Sequence, residues 1–150
     1  MPLTADELLQ RLRQNRPPFA ELLGADIVAL DTEAGTARMT FNGKPELCNP
    51  MGVVQGGFVA AMLDYVMTMA AFAAANQRVE MPTLEMKINF LGPVFPGPHR
   101  GEGVVTRKGR TIMFLEGRLY NPQDQLVVTA SSTAKPIYDP GRFRGQGDKV

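Results

Sequence analysis

The sequence predicts an α+β domain in which an antiparallel β-sheet wraps around one long central helix. Three observations carry this expectation. From Val53 to Ala75 the only ionisable groups are Asp64 and the Tyr65 phenol, and alanine, methionine and phenylalanine dominate with no clear polar face, the mark of a helix buried on nearly all sides. Two short alternating runs precede that segment, and four follow it with no helical pattern between them, so the later strands are expected to connect as an antiparallel meander. A chain of 150 residues suits one core of this kind without disulfides or metals.

The elements follow in order. Thr4 to Glu7 has the form of a capping box and is followed by Leu8, Leu9 and Leu12 at helical spacing, which predicts a helix to about Asn15. Pro17 and Pro18 break it, and Phe19 to Leu23 is expected to add one turn before Gly24. Ala25 to Leu30 and Thr36 to Phe41 read as a hairpin, and 43–52 as a loop into the long helix. Beyond it Leu84, Met86, Ile88 and Phe90 alternate with polar residues, and further strands are expected over 100–107, 111–120 and 125–135. Residues 1–24 thus form a helical N-terminal segment, 25–136 the main domain, and 137–150 a Gly-, Arg- and Asp-rich tail expected to be flexible. One sheet cannot cover a helix that is apolar all round, and a second copy of the chain is the simplest cover.

Composition narrows the function. Sixteen basic and fifteen acidic residues leave no large field for nucleic acid or a membrane surface. The first residues carry acids where a signal peptide carries bases, which points to the cytoplasm. The long apolar run resembles a membrane span, but Asp64 in its middle would cost roughly 2.5–3.5 kcal/mol there. One cysteine, Cys48, and one histidine, His99, provide neither a disulfide nor a zinc cluster. The chemistry is left to carboxylates, hydroxyls, amides and backbone, with no metal and no cofactor.

The segment from Asn49 to Asp64 is the specific one. Paired glycines each weaken a helix by about 1 kcal/mol relative to alanine, so Gly56 and Gly57 at its entry require a reason. Their amides lie at the end of the helix that favours negative charge, and without a Cβ they admit close approach of a ligand; close helix–sheet packing is the competing explanation. A preorganised amide facing a thioester oxyanion lowers the barrier by about 2.7–4 kcal/mol, and Gly56 N–H is the candidate donor. Asp64 lies eight residues further on, about 12 Å along a helix, too far for one carbonyl to touch both. If both serve one reaction, two chains must lie antiparallel, Gly56 of one facing Asp64 of the other. A thioester also loses a thiolate whose thiol has a pKa of about 8.5 and needs little acid assistance.

On these residues the chain resembles the PaaI-like group of hotdog-fold acyl-CoA thioesterases, over roughly residues 20–136. The family pattern places an Asn, then His-Gly-Gly opening the central helix, then an Asp, then a Ser or Thr opening the next strand. Asn49, Gly56, Gly57, Asp64 and Thr83 stand at those places, and Gln55 stands where the family usually has His. The resemblance implies the hotdog fold, an acyl-CoA substrate, and a homodimer or dimer of dimers. It implies Asp64 as nucleophile or general base, Gly56 N–H and the Asn49 amide as polarisers of the carbonyl, and Thr83 as the group holding Asp64 or the water. Gln55 can donate and accept hydrogen bonds but cannot titrate near neutrality. Arg107, Lys108 and Arg110 fall where the family meets the nucleotide end of coenzyme A, and compete with the reading of an ordinary solvated turn.

The expected activity is hydrolysis of an aromatic acyl-CoA of the phenylacetyl type, or of a short or medium fatty acyl-CoA. A non-catalytic acyl-CoA-binding hotdog protein is the alternative, with Gln55 as its hint. A hotdog dehydratase is disfavoured because it needs an Asp/His pair and His99 lies far from the helix in sequence. Cys48 reads as a passive thiol, and the nine methionines as core fillers or lining of an adaptable acyl pocket.

Overall fold

The glycines of the central strands decide how closely the long helix lies on the sheet. A computed structural model describes residues 1–138, and the expected tail falls largely outside them. In chain order the elements are α1 (Ala5–Gln14), α2 (Pro18–Leu22), β1 (Asp26–Asp31), β2 (Thr36–Gly43), a 3₁₀ turn (Pro45–Leu47), α3 (Gly56–Ala75), β3 (Thr83–Phe90), β4 (Gly97–Lys108), β5 (Met113–Tyr120) and β6 (Leu126–Ala134). The six strands form one antiparallel sheet in the order β1-β2-β4-β5-β6-β3, and α3 lies across its inner face.

A Cβ on Gly103 would stand 2.5 Å from the Val66 carbonyl oxygen of α3, and one on Gly117 3.0 Å from the Met67 side chain. On the strands around these gaps, Met39, Phe41, Met113 and Leu119 point inward and, with Leu63, Val66 and Met67 of α3, are at most 1% exposed. By length and composition α3 could cross a membrane, but in this fold it is largely buried against protein.

Two expectations need correction. The strands after α3 do not run as one meander: β4, β5 and β6 do, but β3 pairs with β6 at the far edge. The two sides of β4 are taken by β2 and β5, and the chain crosses from β3 to β4 through 91–96, where the amides of Leu91 and Gly92 both donate to Val127 O. Alternation reports which face is buried and not which neighbour a strand has. The off-sheet face of α3 is also not left entirely to a second chain. The N-terminal segment folds over part of it, with Ala20 and Leu23 fully buried and Phe19 edge-on to Tyr65, ring centroids 5.0 Å apart.

The N-terminal segment itself follows the sequence closely. Thr4 Oγ1 accepts from the Glu7 amide at 3.2 Å while the Thr4 amide donates to the Glu7 carboxylate at 2.8 Å, closing the capping box. Gly24 adopts φ +55°, which ends α2 and turns the chain into β1. Arg13 and Arg16 donate to the carbonyls of Ile27 and Ala25, tying α1 and the following turn to the β1 edge. The other edge, β3, has no strand or helix along its outer side among the described residues, and Leu84 and Phe90 on it are 54% and 55% exposed.

A Gly103→Ala substitution drives a methyl into helix backbone that cannot move without lifting α3. It is expected to cost about 2 kcal/mol, within the usual overpacking range, measured as a lowered urea midpoint with an unchanged m-value.

Candidate active site

Asp64 stands on the stripe of α3 that neither the sheet nor the N-terminal segment covers. Gly57, Ala61, Asp64, Thr68 and Phe72 recur at helical spacing, and all of them remain half-buried or exposed. Thr83, the first residue of β3, donates from Oγ1 to Asp64 Oδ1 at 2.7 Å. This short bond fixes one carboxylate oxygen and leaves the other available. None of the ion pairs among the described residues involves Asp64.

The second group of candidates lies at the start of the same helix. The first N–H groups of an α-helix have no intrahelical partner, and Gln55, the N-cap, makes no side-chain capping bond. Gln55 instead anchors the turn through backbone, its amide donating to Leu47 O at 2.8 Å and its carbonyl accepting from Phe58 and Val59. Its side chain is exposed. Asn49 Oδ1 accepts from the Met51 amide at 3.0 Å, which fixes the orientation of the carboxamide and leaves its NH₂ as donor.

The two glycines have different reasons. A Cβ on Gly56 would meet the Phe90 ring at 3.2 Å, whereas one on Gly57 would meet nothing within 4 Å. The packing explanation thus applies at Gly56, and open space adjoins Gly57. In the sequence Phe90 is only one of the alternating apolar residues of its strand; its contact with the helix start depends on the β3 register, which no local pattern reveals.

Within one protomer these groups do not converge. Gly56 and Asp64 are two helical turns apart, about 12 Å by the rise of the helix. The basic turn is further still: Arg107, Lys108 and Arg110 stand by the C-terminal end of α3, where Lys108 Nζ donates to Ala74 O at 2.7 Å. Lys108 therefore satisfies a terminal carbonyl of the helix, while Arg107 and Arg110 are exposed. His99 is 5% exposed with Nδ1 3.1 Å from Gly97 O, on β4 and away from Asp64. Cys48 Sγ lies 3.7 Å from Lys44 O, with no histidine partner.

A cavity of about 500 Å³ adjoins Asp64, lined also by Phe19, Tyr65, Thr68, Met69 and Phe72. Burial pushes the Tyr65 phenol above its ordinary pKa, with Arg16 opposing and Asp26 adding to the shift, so this wall is uncharged at neutral pH. Neither Phe19 nor Tyr65 stood out as a site residue in the sequence.

A carboxylate held by a threonine, a glycine-led helix start and an apolar cavity are groups of the kind thioester hydrolysis uses, and comparison with known proteins gives the family. The family model of the thioesterase superfamily matches residues 51–128, which is more than half of the chain. The chain belongs to the thioesterase superfamily. Among solved structures, this superfamily member is similar to a phenylacetic acid degradation-related protein of Ralstonia eutropha JMP134, at 35% identity and a TM-score of 0.78, covering 85% of this chain and 98% of that one. It shares the fold of the E. coli PaaI protein of the phenylacetic acid degradation operon at 20% identity and a TM-score of 0.77, over 86% of this chain and 91% of that one. A Saccharolobus solfataricus protein named "Putative esterase" is 35% identical over 91 residues, 61% of this chain and 64% of that protein's length. The architecture is accordingly the hotdog fold of PaaI-like thioesterases.

Alanine at Gly57 enters open space, and alanine at Gly56 need only displace the tip of the Phe90 ring, which is more than half exposed. Both variants are expected to unfold within about 1 kcal/mol of the wild type. Chemical denaturation checks this, and makes any activity change in them a report on the site.

Proposed function

We propose that the protein is an acyl-CoA thioesterase acting as a homodimer or dimer of dimers, with each site shared between two chains. The hydrogen bond from Thr83 to Asp64 is the observation that carries this reading, because it orients a carboxylate with no cation partner among the described residues at the mouth of an apolar cavity. The separation of about 12 Å between Asp64 and the helix start is the reason for two chains. Antiparallel packing of two α3 helices brings Gly56 of one copy to Asp64 of the other. The open edge of β3, with its exposed Leu84 and Phe90, is the surface through which a second copy extends the sheet.

In this site Asp64 acts as general base on a water, or as nucleophile, toward the thioester carbonyl. Gly56 N–H and the Asn49 NH₂ of the other copy receive the oxyanion, and Gln55 lies beside them as a further donor. Gly57 leaves the space through which the substrate passes. The thiolate of coenzyme A then departs without needing an acid, which suits a site whose candidate residues include no histidine. In the antiparallel pair, Arg107 and Arg110 stand about 15 Å along the helix from Asp64, within reach of the phosphates of coenzyme A, with Lys108 beside them. The apolar cavity suits an aromatic acyl group of the phenylacetyl type or a short to medium fatty chain. Gln55 supports a second reading, a protein that binds acyl-CoA without hydrolysing it, since no group at that position titrates.

Thiol release from a panel of aromatic and aliphatic acyl-CoAs tests the proposal. Asp64→Ala and Asp64→Asn are expected to lower kcat by about a hundredfold or more, and Thr83→Val by roughly tenfold, with folding and assembly unchanged. No turnover by the wild type alongside measurable acyl-CoA binding would leave the binding protein. The shared site has its own test, in which Asp64→Asn is co-expressed with a Gly57→Trp chain that is inactive by itself. Mixed dimers regain one intact site, so about a quarter of wild-type activity is expected at random assembly, and none if each chain carries a complete site.

A further inference from the structure

Two cavities lie along the uncovered stripe of α3, and one side chain separates them. The larger, of about 500 Å³, has Asp64, Thr68 and Phe72 in its wall. The smaller, of about 350 Å³, lies at the helix start beside Gln55 and Gly57. Among the described residues only Phe19 and Ala61 line both. Ala61 contributes a single methyl from the helix, so the partition between them is the Phe19 ring. The ring sits on α2, outside the sheet and helix that hold the reacting groups. Edge-on packing against Tyr65, at 5.0 Å between centroids and 74° between planes, fixes its position, while 47% of the residue stays exposed toward the stripe.

The geometry points to Phe19 as the residue that limits acyl length, its ring forming the end wall of the cavity beside Asp64. The inference rests on the acyl-CoA reading for the identity of the ligand. A thioester carbonyl placed at Asp64 has two branches to accommodate, and the polar, phosphate-bearing one must lead out to solvent. The acyl branch then enters the apolar cavity along Ala61 and Tyr65, toward Phe19. An aromatic ring or short chain fits in front of Phe19. A longer chain has to displace it to reach the smaller cavity, which borders Gly57 and therefore, in a shared-site dimer, belongs to the other active site. Phe19 keeps the two sites of a dimer separate inside each protomer.

The test measures binding of non-hydrolysable S-alkyl-CoA thioethers, from butyl to hexadecyl, by isothermal titration calorimetry. In the wild type Kd is expected to fall about fourfold per methylene until the chain meets Phe19, and then to level off. Phe19→Ala moves that break outward by several carbons, and Phe19→Trp moves it inward. Phe19→Leu gives a smaller outward shift and serves if alanine loosens α2, which circular dichroism reports. The same break in all four proteins, or no thioether binding at all, overturns the proposal. Acyl-CoA hydrolysis is scored separately: a shifting break without turnover retires the thioesterase reading and keeps the wall, and turnover with a fixed break does the reverse.

Discussion

Everything in this molecule is arranged around covering one helix that has almost nothing polar on it. α3 is twenty residues long with eleven of them buried, and the strands accept it because Gly103 and Gly117 carry no side chain where it comes nearest. The same requirement explains the N-terminal segment. Without α1 and α2 the off-sheet face would expose Tyr65 and Met69 to water, and the ring of Phe19 with the fully buried Ala20 and Leu23 supplies the missing cover. What remains uncovered is a narrow stripe, and the one carboxylate of the helix lies on it.

That placement resolves a conflict between stability and chemistry. A carboxylate deep in the helix–sheet core would have required a buried cation or gone unpaired at a cost of several kcal/mol. On the stripe, Asp64 needs only the Thr83 hydroxyl and keeps contact with solvent and with the adjoining cavity. The oxygen not held by Thr83 is then free for work that a salt bridge would have prevented. In the proposed reaction that oxygen acts without a histidine partner, and a thioester, with its good leaving group, is the acyl substrate least in need of one.

Much of this was legible in the sequence, because the features involved are local. The capping box at Thr4, the stop at Gly24, the apolar run of α3 and the alternation of β3 are each written within a few residues, and all appear where they were expected. Asp64 was conspicuous as the sole carboxylate in that run. What escaped the sequence is non-local. The pairing of β3 with β6 depends on which strand edges are already taken, and the contact of Phe90 with Gly56 follows from that pairing. Phe19 enters the sequence reading only as the start of one helical turn after two prolines, because its partner, Tyr65, is forty-six positions away. Of the candidate residues, the structure brings Thr83 to Asp64 but leaves Asn49, Gln55, Gly56 and Gly57 at one end of α3 and the basic turn at the other.

That dispersal along a single rod has a consequence for how such a site is built. Three groups spaced along one straight helix cannot surround a compact reacting centre, whatever the rest of the chain does, because the rod fixes their separations at about 1.5 Å per residue. A second rod laid antiparallel removes the difficulty, since it places the start of one helix beside the middle of the other. In the proposed dimer the twofold axis generates two sites from one set of residues, and the β3 edge left open by the sheet order offers the backbone groups for its register. On that proposal the sheet topology that the strand patterns concealed and the carboxylate they displayed answer a single constraint, the need to bring distant points of one helix together.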